Sequence, residues 1–205
     1  MLKQPFLDKL TRLRLPGFRV GLQEQWENPH YAELSFDERL ALLVDLECTR
    51  RDNSSLQCHT KAAHFALPAT IEDLDLSPSR GLDRSFILQL AQGEWIRCHL
   101  NTLVLGPTGA GKSYLACALG QAACRQGFSV RYHRTSRLLH EIMLSHADGS
   151  FAKLLASLAR VPLLILDDWL RDPLIVSQAR DLLEVLDDRY GQSSTMVATQ
   201  VPIED

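Results

Sequence analysis

The chain has 205 residues, 45% of them hydrophobic and 23% charged, and a net charge of −3. It is long enough to bury a full core and has the make-up of an ordinary soluble domain, with no overall basic character and no apolar run that would cross a bilayer. Its five cysteines contain no C-x-x-C pair and its N-terminus has no signal-peptide pattern, so free thiols in a reducing cytoplasm are expected, without disulfides or metal ligands.

Residues 1 to about 95 carry helical spacing and no strand runs. Ser35, with Glu38 three residues on, predicts a capped helix start. Leu40, Leu43, Val44 and Glu47 then share one largely apolar face, and the helix is expected to reach Arg50 or Arg51. The polar run Asp52-Asn53-Ser54-Ser55 predicts a break, and residues 61–67 a short helix stopped by Pro68. Leu76-Ser77-Pro78-Ser79-Arg80-Gly81 reads as a linker. The expected domains are thus a helical region over 1–78 and an α/β core over 79–205. Residues 82–91 predict one more helix, ending at Gln92-Gly93.

From Asn101 the pattern alternates. Strands are predicted over 101–105, 128–132, 163–166 and 195–199, and helices over 112–126, 135–146, 151–160 and 177–190. Gly127 stops the first of these helices, where Cys117 and Cys124 share a face suited to packing. Such alternation predicts a parallel sheet covered by helices on both faces. The extra strand between the first and third predicts an additional-strand P-loop ATPase, and argues against a simple nucleotide kinase.

Gly106-Pro107-Thr108-Gly109-Ala110-Gly111-Lys112-Ser113 fits G-x-x-x-x-G-K-[ST] between a predicted strand and a predicted helix. Its glycines permit backbone angles that bring several N–H groups around one anion, and the helix start adds its positive dipole end. Lys112 would set a charge between the β- and γ-phosphates of ATP, Ser113 would offer its hydroxyl to Mg²⁺, and Tyr114 completes the binding segment. Leu163-Leu164-Ile165-Leu166-Asp167-Asp168 is an apolar strand ending in two carboxylates. An Asp pair alone is more often a cap or turn. After a P-loop, Asp167 is expected in the Mg²⁺ shell and Asp168 as the group that polarises the attacking water.

These strings, with Gln121-Ala122-Ala123-Cys124-Arg125-Gln126-Gly127, Asp167-Asp168-Trp169 and Asp188-Arg189-Tyr190, resemble those of IstB proteins. The N-terminal half adds Leu34-Ser35-Phe36-Asp37-Glu38-Arg39-Leu40, Ile71-Glu72-Asp73-Leu74-Asp75 and Arg80-Gly81-Leu82-Asp83-Arg84. The resemblance covers nearly the whole chain. It implies an ATP-binding helper of an insertion-sequence transposase, of the AAA+ class and similar to the DnaC and DnaI helicase loaders. It implies duplex DNA and an IstA-like transposase as partners, and an ATP-dependent homo-oligomer. A DnaC-like helicase loader is the alternative. The resemblance also implies that Gln200, at the end of the fourth strand, senses the γ-phosphate. Leu170 stands where the family often has Gly. The family is expected to continue beyond residue 205 with a strand and a helical portion that carry an arginine finger and a second sensor arginine.

For DNA, Arg131, Arg134 and Arg137 sit at a predicted strand-to-helix junction and suit phosphate contacts without base reading. Arg180 and Arg189 are read as solvated or salt-bridged helix surface. His59, His64, His140 and His146 show no metal-ligand spacing.

Overall fold

A computed structural model describes residues 3–77 and 80–202. The chain divides into two compact units, Met1–Gln57 and Cys58–Asp205. The boundary expected at 78/79 falls on Pro78 and Ser79, which lie outside the described residues.

The first unit is built from α1 (Lys3–Arg12), α2 (Pro16–Glu27) and most of α3 (Phe36–Ala63). The start of α3 is the expected capping box: the Ser35 N–H donates to Glu38 at 2.8 Å, and the Glu38 N–H donates to the Ser35 hydroxyl at 3.3 Å. Its buried face differs from the expected one. Leu43 and Glu47 are buried, whereas Leu40 and Val44 are exposed. Glu47 is inside because it has work at another helix end. Its carboxylate accepts from the Gly17 and Phe18 N–H groups at the start of α2, at 2.7 and 3.3 Å, and from Arg51 at 2.8 Å. The break predicted at 52–55 is absent, since α3 runs through to Ala63. Asp52, Asn53, Ser54 and Ser55 are all exposed, so their side chains meet water and do not interrupt the backbone ladder.

The second unit adds α4 (Arg84–Ala91), capped by Asp83, and a short α5 (Glu94–Arg97) that the sequence did not suggest. The strands are β1 (Thr102–Leu105), β2 (Val130–Arg134), β3 (Leu163–Trp169) and β4 (Ser194–Thr199), all parallel, in the order β1-β4-β3-β2. Because β4 lies between β1 and β3, the P-loop strand and the aspartate strand are not neighbours. This is the P-loop NTPase architecture expected from the alternation. The helices are α6 (Lys112–Arg125), α7 (Thr135–Asp148), α8 (Phe151–Ala159) and α9 (Val176–Arg189). Leu163, Leu164, Ile165 and Leu166 are 0% exposed, as a strand covered on both faces requires. Leu164 and Leu166 pack in one cluster with Leu138 and Ile142 of α7, Leu158 of α8, and Leu182 and Val185 of α9. On α6, Cys117 and Cys124 are buried, and burial pushes the Cys124 thiol up to about 11, consistent with packing.

Arg189 overturns the surface reading. It is 1% exposed and shares the buried face of α9 with Leu182 and Val185 at i, i+3, i+7 spacing. Its guanidinium donates to the Val161 carbonyl at 2.9 Å, to the Thr195 hydroxyl at 3.0 Å, and to the Leu158 and Ser194 carbonyls. The Leu158 carbonyl lies in the last turn of α8, where the helix dipole favours a cation, and Val161 follows just past the helix end. Burial pushes its pKa down to about 10, so it remains charged at neutral pH. Arg189→Leu strands several buried acceptors at once, and we expect it to lower unfolding free energy by about 3–5 kcal/mol in urea titration. A loss under about 1 kcal/mol would mean that water replaces the guanidinium at little cost.

Candidate nucleotide-binding site

The apolar β1 ends at Leu105, and the next residues turn sharply into α6. Gly109 and Gly111 lie at φ +81° and +93°, the left-handed region that glycine enters without strain. A Cβ at either glycine would meet nothing within 4 Å, so the inside of the loop is open. Gly111 caps α6 without a side-chain hydrogen bond. The first N–H groups of the helix therefore have no capping side chain at Gly111 and face the loop. The Lys112 ammonium folds back and donates to the Gly106 carbonyl at 2.8 Å and to the Pro107 carbonyl at 2.9 Å. A cation resting on neutral carbonyls in an open loop is the donor set that a phosphate fits.

A cavity of about 460 Å³ opens on this loop. Of the residues singled out in the sequence, it brings together Thr108, Gly109, Gly111, Lys112, Ser113, Tyr114, Asp168 and Gln200. Gly106, Pro107 and Ala110 complete the loop behind the cavity wall, held partly by the Ala110 N–H donating to the Pro107 carbonyl at 3.2 Å. Gln200 accepts a hydrogen bond from the Thr108 hydroxyl, so the end of β4 touches the P-loop. The Thr199 hydroxyl donates to the Trp169 carbonyl at 2.7 Å, tying the ends of β3 and β4. Trp169, from the Asp167-Asp168-Trp169 string, and Thr199, at the end of the fourth strand, also line the cavity, as do Leu67 and Arg171, which no motif had marked.

The two aspartates point to different places. Asp167 is 2% exposed and does not line the cavity. Its carboxylate accepts from the Tyr132 hydroxyl at 2.5 Å and from the Asp168 N–H at 2.9 Å, and its carbonyl accepts from the Thr135 hydroxyl at 3.0 Å. Burial, reinforced by this carboxylate, raises the Tyr132 pKa, so the phenol stays a donor. Asp168 faces the cavity because of a β-bulge. Leu166 pairs with Val197 and Trp169 with Thr199, so Asp167 and Asp168 together oppose Ala198. Asp168 takes φ +54°, a conformation that Asp tolerates better than most residues. Leu170 adopts φ +55°, which favours glycine. The loop thus keeps a glycine-like bend with a leucine in it.

The three arginines read as one DNA patch are split. Arg131 is half-buried within β2 and Arg134 is the last residue of that strand, so their side chains start on opposite faces. Arg134 and Arg137 are the exposed pair, at the start of α7.

The family described as "IstB-like ATP binding protein" matches residues 8–205. The chain belongs to the IstB-like family. It is 48% identical over 203 residues to an ATP-binding protein of insertion sequence IS1162 from Pseudomonas fluorescens, covering 98% of this chain and 88% of that protein. An insertion-sequence ATP-binding protein of Sinorhizobium fredii is 42% identical, over 99% of this chain and 83% of its own. Among solved structures, AMPPCP-bound DnaA from Aquifex aeolicus superposes with a TM-score of 0.59 at 17% identity, over 67% of this chain and 43% of that one. The DnaC helicase loader gives 0.55 at 20% identity, over 71% and 80%. These likenesses place the IstB-like core in the AAA+ P-loop fold. No helix among the described residues is long and apolar enough to cross a membrane.

Proposed function

We propose that this IstB-like chain is the ATP-dependent, DNA-binding helper of an insertion-sequence transposase, working in the cytoplasm and assembling on duplex DNA as it binds and hydrolyses ATP. The observation that carries this reading is the family match over residues 8–205, with relatives described as insertion-sequence ATP-binding proteins. The open P-loop supports the nucleotide part.

In this reading the loop N–H groups and Lys112 bind the phosphates, and Tyr114 borders the nucleotide. Ser113 and Asp167 would hold Mg²⁺. A carboxylate has about four lone-pair positions, and Tyr132 and the Asp168 N–H engage two at Asp167, so two remain that metal-bound water would take. Bound Mg²⁺ would offset charge on the β- and γ-phosphates. Asp168 polarises the attacking water, and Gln200 reaches the γ-phosphate from the end of β4. Arg134 and Arg137, with Arg131 beside them in sequence, contact DNA phosphates, which makes binding salt-sensitive and indifferent to sequence. The partner is an IstA-like transposase.

Sedimentation of the purified chain on duplex DNA tests this. Large assemblies are expected with ATP and Mg²⁺, shrinking as salt rises. Assembly of equal size without nucleotide would overturn the ATP dependence. A chain that binds a replicative helicase in preference to the transposase would instead be a loader.

A further inference from the structure

Arg171 lies in the loop after β3, with its guanidinium 3.5 Å from Asp168 and 3.1 Å from Asp172. Its side chain is 49% exposed and that of Asp172 68%. Ion pairs this open to water are weak, because solvent screens both charges and the long side chain loses freedom in making them. Arg171 is therefore loosely held.

Its place is more telling than its partners. Among the described residues that line the P-loop cavity, the cations are Lys112 and Arg171. Lys112 rests on the loop carbonyls of Gly106 and Pro107, and Arg171 rests on Asp168. In the proposed site Asp168 polarises the water that attacks the γ-phosphate, so the terminal group of a polyphosphate held by the loop lies on the Asp168 side of the cavity. There the terminal phosphate repels the Asp168 carboxylate and attracts the guanidinium. The planar fork of arginine matches a phosphate with two parallel N–H···O bonds, a stronger contact than the exposed carboxylate pair it would replace.

We propose that Arg171 reads the γ-phosphate: bound ATP draws its guanidinium from Asp168 and Asp172, and ADP does not. This rests on the P-loop cavity being the ATP site. The exchange frees the Asp168 carboxylate when ATP is present. Arg171 also borders a second cavity, of about 310 Å³, lined by Thr135, Ser136 and His140 of α7. The same movement therefore changes the wall beside the first turn of that helix.

The test is calorimetric binding of Mg·ATP and Mg·ADP to the parent chain, Arg171→Ala, Arg171→Lys and the double variant Asp168→Asn/Arg171→Ala, with Asp168→Asn as its reference. Arg171→Ala is expected to weaken ATP about tenfold, roughly 1.4 kcal/mol, and ADP by less than about twofold. Arg171→Lys keeps the charge without the fork and should recover part of the loss. If the guanidinium touches phosphate, the ATP-specific loss persists when Asp168 is already neutral. The proposal is overturned if ATP and ADP weaken equally, if neither changes, or if the loss vanishes in the Asp168→Asn background. A parent chain that binds neither nucleotide removes the ATP-site reading and this inference together. A parent that binds both with an unchanged ratio in Arg171→Ala removes this inference alone.

Discussion

Lys112→Ala is expected to weaken ATP binding by at least about 100-fold, roughly 2.7 kcal/mol or more. Two unit charges 4 Å apart interact by about 4 kcal/mol at an effective dielectric of 20, and the β- and γ-phosphates together carry more than one charge. The ammonium already lies at the loop, bonded to the Gly106 and Pro107 carbonyls, so no rearrangement of the backbone is needed to bring it to a phosphate. Removing it leaves the glycine conformations and the start of α6 intact, because Gly109 and Gly111 hold their positive φ without its help. The variant should therefore unfold within a few degrees of the parent while its nucleotide isotherm flattens. Equal affinity of variant and parent in calorimetry would refute the phosphate site.

The P-loop was legible because its chemistry is local. One strand, one glycine-rich turn and one helix start, consecutive in the chain, are enough to build it, and the cavity lined by Thr108, Gly109, Gly111, Lys112 and Ser113 follows from that order. Gln200 was named through the family resemblance, and the structure places it on the cavity because β4 lies beside β1 and ligands collect at the carboxyl ends of parallel strands. Features that depend on two elements at once were not. The bulge that turns Asp168 to the cavity exists only in the register of β3 against β4. The Tyr132–Asp167 hydrogen bond crosses from β2 to β3, and nothing in either stretch announces the other. Continuity of α3 through Asp52-Asn53-Ser54-Ser55 was missed because those residues favour caps and turns as a class, a weak preference that the surrounding helix overrides. Arg189 is a different case. Its spacing from Leu182 and Val185 marks the buried face, and the charge alone led to the opposite reading.

Asp168→Asn is expected to leave ATP affinity within about threefold and to slow turnover by about 10²–10⁴-fold, the range that a positioned general base supplies. The substitution suits the position, because asparagine accepts the left-handed backbone at φ +54° as readily as aspartate does. Alanine would add backbone strain and blur the result. Shape and bulge therefore persist, and the change confines itself to charge and proton affinity. The ion pair to Arg171 is lost, but at 3.5 Å and half-exposed it contributes little to stability. With the carboxylate neutral, repulsion towards the γ-phosphate falls, so affinity has no reason to drop. What disappears is the anion that draws a proton from the attacking water. Single-turnover measurement at saturating ATP separates the two effects. Lost binding with normal turnover per bound ATP would assign Asp168 to holding the nucleotide, and would move the search for the water-activating group to Gln200, which lines the same cavity from the end of β4.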